Sequence, residues 1–231
     1  KQVLDALGVT RCEKAGYEAD DLLGTISRRA DEHGDTCVVV TGDRDSLQLV
    51  GGGTTVMLVS TRMGQTTYQT YDTAAFREKY GFDPIHLIDL KALMGDSSDN
   101  IPGVPGIGEK TAMQLLHDFG TLEGVYANIE DERIKKGART KLQNGEQSAK
   151  DSFWLATIDR NVPLDLDVEH LPAQDIDETA LYDLLTAYPA ARLTLRHPEM
   201  LVAHLGNYGE LVLRVLADAA AENPAFTLNV Q

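Results

Sequence analysis

A continuous run of β-branched residues closed by a Gly-Asp turn, Cys37 to Asp43, follows directly on a segment of helical spacing, and that order leaves few folds open. Apolar continuity of this kind is expected of a strand buried on both faces of a parallel sheet, with helices as cover. In the preceding segment Ala19, Leu22, Leu23, Ile26 and Ala30 recur at helical spacing, acids occupy the first turn and Gly34 supplies a stop. Helix followed by buried strand predicts an α/β core. Residues 54–60 and 65–71 flank the turn Arg62-Met63-Gly64 and read as a hairpin at the sheet edge.

From Asp72 onward strand signals fade. Helical periodicity is predicted over 72–81, 83–95, 109–120, 138–159, 181–187 and 200–221, and the last residues from Glu222 are weakly patterned and expected to fray. The opening, 1–8, reads as the end of an amphipathic helix with Val3, Leu4 and Leu7 on one side. The expected organisation is a partial α/β core over 1–95 and a mainly helical region over 96–231.

A chain of 231 residues, 42% of them hydrophobic, can bury a sizeable core. No apolar run reaches the ~18 residues needed to span a bilayer, and no charged-then-apolar leader is visible, so a soluble protein of the cytoplasm is expected, with no membrane partner. Cys12 and Cys37 lack metal-ligand spacing and read as small apolar residues. His33, His86, His117, His170, His197 and His204 show no pairing, and Trp154, inside a helical apolar pattern, reads as core rather than as a base-stacking platform. The net charge of -15 argues against a nucleic-acid partner unless cations cluster locally. They do cluster from Arg133 to Lys141, with Lys135, Lys136 and Arg139 between and no acid among them. A solvated helix face and a phosphate contact both remain open for that patch.

Three acidic groups carry the chemical signal. Glu18, Asp20 and Asp21 stand at a helix start, Asp43 and Asp45 just past the buried strand, and Asp96 and Asp99 in a Gly-Asp-Ser-Ser-Asp-Asn loop. Each has an ordinary explanation, in turn helix-dipole compensation, turn chemistry and helix capping. Ligands of open α/β sheets, however, bind outside the carboxyl ends of the strands, where Asp43 and Asp45 fall. Converging carboxylates repel unless a hard cation lies between them, and oxygen donors alone favour magnesium or manganese. Two such ions roughly 4 Å apart are the recurring arrangement for hydrolysing phosphodiesters.

Directly after Asp99 comes Asn100 to Ala112, Asn-Ile-Pro-Gly-Val-Pro-Gly-Ile-Gly-Glu-Lys-Thr-Ala, leading into a helix. Gly106 and Gly108 permit a tight turn and close approach of a partner, the next helix offers unpaired amides to an anion, and Lys110 adds a cation. Contact to backbone phosphate would position a duplex without reading its sequence.

The strings Gly-Tyr-Glu-Ala-Asp-Asp (16–21), Thr-Gly-Asp-Arg-Asp-Ser-Leu-Gln-Leu (41–49) and 95–112 resemble, in order, the 5′ nuclease domain of bacterial DNA polymerase I, related to flap endonucleases and phage 5′ exonucleases. The resemblance covers Lys1 to Pro172. It implies a PIN-like nuclease core, incomplete at its N-terminus, followed by a helix-hairpin-helix region. It makes Glu18, Asp20 and Asp21 ligands of one ion, with Asp20 and Asp21 leaning toward the shared position. Asp43 and Asp45 complete the first site, and Asp96 and Asp99 hold the second ion directly or through water. Asp20, Asp21, Asp43 and Asp45 become the catalytic set, two Mg2+ or Mn2+ the cofactors. Gly103, Gly106, Gly108 and Lys110 fall at the DNA, with K+ held by the hairpin carbonyls. The implied substrate is double-stranded DNA bearing a 5′ flap, nick or primer, processed in replication and repair, with a polymerase domain C-terminal in the native gene. The family's first two metal-binding aspartates precede Lys1, so weak metal binding and poor cleavage are expected, with a non-catalytic duplex-binding module as the alternative.

Overall fold

The structure of the chain, a computed structural model, describes residues 1–63, 65–167, 175–187, 192–195, 207–222 and 227–230. The chain divides into two compact units, Glu13–Glu169 and Lys1–Cys12 together with His170–Gln231.

The larger unit opens with helix α2 (Ala19–His33), ended at Gly34 in the left-handed region (φ 87). Strand β1 (Cys37–Thr41) then pairs in parallel with β2 (Thr54–Arg62), which turns back antiparallel onto β3 (Gln65–Tyr71). The hairpin lies at the sheet edge as expected, with Gly64 outside the described residues. The sheet is mixed, and β1 is not covered on both sides: Val39 is 3% exposed, while Val38 and Val40 are 57% and 59% exposed. One face of the valine run packs into the core beneath α2, and the other is more than half exposed.

Beyond the sheet come α3 (Thr73–Tyr80), α4 (Leu87–Met94), α5 (Glu109–Phe119), α6 (Leu122–Ala127), α7 (Lys136–Asn144) and α8 (Glu146–Ala156). Helix α6 was not legible from periodicity; Thr121 starts it by accepting from the Gly124 amide at 2.9 Å. The single helix expected over 138–159 is two, broken at Gly145, where a Cβ would stand 2.9 Å from Val104 Cγ1. Close packing of that corner on the hairpin loop needs glycine. One hydrophobic cluster runs from Val39, Leu47 and Val56 through Phe76 and Leu93 to Leu116 and Leu142, so residues on both sides of position 95 share a core, and the change from strands to helices falls earlier, after Tyr71.

The smaller unit contains α1 (Gln2–Ala6), α9 (Glu178–Ala187), β4 (Arg192–Leu195), α10 (Asn207–Glu222) and β5 (Thr227–Val230). Its core gathers Ala6, Leu181, Val212, Val215 and Leu216. The apolar face of α1 is thus set by Ala6 and Leu7, while Val3 and Leu4 are exposed. Residues 227–230 do not fray: they pair in parallel with β4, a long-range backbone partner that side-chain pattern does not reveal. Residues 200–206 of the expected last helix, together with His170, His197 and His204, lie outside the described residues. Among the described residues no helix is long and apolar enough to cross a membrane.

Candidate metal centre and hairpin

After β1 the backbone turns through Gly42. Thr41 Oγ1 accepts from the Asp43 amide at 3.0 Å, and Asp43 Oδ1 accepts from the Asp45 amide at 2.9 Å, starting a 3₁₀ turn over Asp45–Leu49. The turn presents Asp45 to α4. That helix stops at Gly95 (φ 76), and the backbones of Asp96 and Ile101 exchange two hydrogen bonds of 2.8 Å that fold 96–101 into a tight loop. Asp45, Asp96 and Asp99 are thereby brought together, with one oxygen from each inside a 4.8 Å span.

A residue that sequence reasoning missed stands among them. Lys91 of α4 is buried, hydrogen-bonds Asp45 Oδ1, and places Nζ 2.7 Å from Asp96 Oδ2 and 3.7 Å from Asp99 Oδ2. The available signal was a lysine within the apolar helical run Leu-Ile-Asp-Leu-Lys-Ala-Leu-Met, since lysine is almost never buried unless paired. Burial opposes its charge, but hydrogen bonds to Asp45 and Asp96 outweigh burial and raise its pKa. Burial likewise opposes ionisation of Asp96, yet the Lys91 ammonium and the Ser98 hydroxyl and amide hold that carboxyl at about 2. Asp45 is pushed up, first by burial and also by Asp43 and Asp99, with Lys91 acting the other way.

The first acidic group joins through Asp20, whose Oδ1 accepts from Ser46 Oγ at 3.3 Å. Burial, then the Asp43 charge, with Asp45 and Glu18 behind it, raises its pKa. Glu18, Asp20, Asp21, Asp45 and Asp99 line one cleft of about 930 Å³. Asp21 is also structural: it accepts from the Glu18 amide at 3.1 Å and from the Asp159 amide at 2.9 Å, fastening the start of α2 to the segment after α8. At the start of α2 a capping box, where helix-dipole compensation is the ordinary expectation, and a shared cleft therefore coexist. The donor set fits a hard divalent cation, being all carboxylate oxygen with one ammonium among three acids of the tightest group. Lys91 supplies a cationic partner where such an ion would sit.

Lys91→Met is expected to lower stability by about 3 kcal/mol in chelator, because it leaves half-buried carboxylates facing one another unpaired. Millimolar magnesium should then raise the melting temperature of the variant more than that of wild type, since the competing ammonium is gone. Identical melting in chelator and identical metal response would show that Lys91 does not balance this cluster.

The hairpin motif folds from the same loop. Val104 and Ile107 anchor it in the core. Gly106 (φ 82), Gly108 and Lys110 face solvent, with Gly108 as N-cap of α5. Gly103 differs from the other three residues expected at DNA: it is buried, its amide donates to Ser152 Oγ at 2.9 Å and its carbonyl accepts from Ser148 Oγ at 2.6 Å. Both polar groups are used inside the protein, where it crosses Gly95 too closely for any side chain. Lys141 Nζ donates to the Gly106 carbonyl at 2.9 Å. The rest of the basic patch divides: Arg133 and Arg139 pair with Asp131 and Glu130, whereas Lys135 and Lys136, like Lys110 of the hairpin, form no ion pair among the described residues. Trp154, read from sequence as core, is 77% exposed.

An α/β sheet that delivers carboxylates to one cleft beside a glycine-hinged hairpin defines a nuclease class of fold and site. Comparison with known proteins agrees. Residues 1–81 match the family model of the 5'-3' exonuclease N-terminal resolvase-like domain, and residues 82–179 match that of the 5'-3' exonuclease C-terminal SAM fold. The chain belongs to the 5'-3' exonuclease family. It is 44% identical over 177 residues to DNA polymerase I of Bacillus caldotenax, covering 77% of this chain and 20% of that protein. The chain thus spans about a fifth of the length of the curated relatives it matches. In fold it is similar to a T5 5'-exonuclease structure with bound divalent metal ions (zinc), at TM-score 0.57 and 24% identity over 79% of this chain and 64% of that one. It is also similar to the catalytic core of Rad2 in complex with DNA substrate, at TM-score 0.56 and 19% identity over 93% and 67% of the two chains.

Proposed function

We propose that this chain hydrolyses phosphodiesters of duplex DNA at 5′ ends and 5′ flaps, in nicked or primer-bearing substrates, with two magnesium or manganese ions. The observation that carries the reading is the meeting of Asp45, Asp96 and Asp99 within 4.8 Å, with Asp45 and Asp99 lining a cleft shared with Asp20. Divalent ions held by these carboxylates would supply an activated water and neutralise charge on the leaving oxygen. The protein's residues do the rest: Asp20, Asp43 and Asp45 gather charge at the strand end, Asp96 and Asp99 face them from the loop, and Lys91 keeps the cluster assembled. Glu18 and Asp21 hold the start of α2 at the cleft, the latter with whatever donor capacity its two amide contacts leave. Relatives that are bacterial DNA polymerase I support a cytoplasmic setting and a polymerase domain elsewhere in the complete protein.

The hairpin would place Gly106, Gly108 and Lys110 against one strand of the duplex, with amides at the start of α5 toward phosphate. A potassium ion there would share the loop carbonyls with Lys141, which already occupies that of Gly106. The reading is tested with the complete protein on a 5′-flap duplex: cleavage in magnesium that stops in chelator is expected, and metal-independent cleavage would refute it. Lys110→Ala should weaken binding to all duplex sequences alike and lower the slope of log K against log salt by roughly one unit. A loss confined to one sequence would contradict phosphate contact.

A further inference from the structure

Resting on the nuclease reading, we infer that Trp154 stacks on an unpaired nucleobase of the substrate next to the phosphodiester held by the acids. Scattered exposed apolar side chains are ordinary. Trp154 is not scattered: with Leu155, 51% exposed, and Tyr17, 37% exposed, it lines the same cleft as Asp20, Asp45 and Asp99. Its helix is firmly seated, because Ala149, Ser152 and Ala156 are buried on the opposite side and Phe153 packs on the core. A direct tie joins it to the carboxylates. Gln48, in the turn that carries Asp45, donates through Nε2 to the Ala156 carbonyl at 3.0 Å and accepts from the Ile158 amide at 3.1 Å. The end of the helix that carries Trp154 and the turn that carries Asp45 are therefore joined through one buried side chain.

The occupant follows from chemistry. Without their metal ions the acids repel phosphate, so the aromatic flank of the cleft suits the uncharged part of a nucleotide. An indole offers a π face, which any base can meet regardless of sequence. A base inside a duplex already has both faces stacked, so the free face belongs to an unpaired one.

Trp154 is the single tryptophan of the chain, so its emission reports on this position alone. The chain is titrated with 5′-flap duplex labelled at its far end, with calcium in place of magnesium, following anisotropy and indole emission together. Quenching should track the binding isotherm and vanish when one unpaired base is replaced by an abasic site. Trp154→Phe should bind as wild type, whereas Trp154→Ala should lose roughly tenfold in affinity for the flap substrate and nothing for fully paired duplex. Normal binding with unaltered emission, or an unchanged flap affinity in Trp154→Ala, overturns the stacking assignment alone. No binding of any DNA removes the nuclease reading and this inference with it.

Discussion

Asp45→Asn, in the complete protein, is expected to bind flap duplex much as wild type does and to cleave it on the order of 10³-fold more slowly, several kcal/mol of transition-state stabilisation being lost with the metal site. The substitution keeps the shape and volume of the side chain and the 3₁₀ turn behind it, whose start depends on the Asp45 amide and Asp43 Oδ1. It removes one charge of the trio formed with Asp96 and Asp99. Lys91 retains Asp96 at 2.7 Å, so the loop has no reason to unfold. DNA affinity is assigned to the hairpin and to the indole of Trp154, and the substitution removes neither. Measuring single-turnover cleavage and binding separately makes the distinction, and wild-type cleavage by the variant would remove the case for carboxylate-held metal. Asp21→Asn is a poorer probe, because Asp21 also fastens α2 to the Asp159 amide and its loss mixes stability with chemistry.

What was legible in the sequence was whatever depends on neighbours along the chain. The helix stop at Gly34, the turn at Gly42-Asp43 and the edge hairpin all declare themselves through local backbone demands. The three acidic groups were visible for the same reason, each lying at the end of an element. Long-range partners were not. Nothing near Val38 says that one face of its strand is open, since an apolar run looks the same whether one side or both are covered. Lys91 sits in an apolar helix and gains its meaning from Asp45 and Asp96, brought to it by the fold. Trp154 was misread because helical periodicity tells which residues share a face, and the inward face of α8 is taken by Ala149, Ser152 and Ala156. Strand β5 escaped notice because its partner, β4, is remote in sequence.

Gly103→Ala is expected to be the most destabilising single-methyl addition in the hairpin, costing about 4 kcal/mol and lowering the melting temperature by roughly 10 °C. Gly103 has φ 61, and a Cβ there would stand 2.2 Å from the Gly95 amide nitrogen and 2.6 Å from the Met94 carbonyl carbon. Those are backbone atoms, with no flexible tip to move aside. Nor can Gly95 yield, since its own Cα faces the Ile101 and Pro102 carbonyls closely enough that a methyl would lie 2.7 and 2.8 Å from them. Relief would have to come from separating the end of α4 from the hairpin, which breaks the Gly103 bonds to Ser148 and Ser152 and shifts Asp96 and Asp99 away from Asp45. Stability and metal affinity should therefore fall together. Gly108→Ala is the matched control: its φ of -99 suits any residue and no atom lies within 4 Å of its added methyl. That variant should melt near the wild type and, if the hairpin meets phosphate closely, lose only DNA affinity. A Gly103→Ala protein that melts like wild type and keeps its metal response would show that the crossing with Gly95 does not hold the two acid-bearing segments in register.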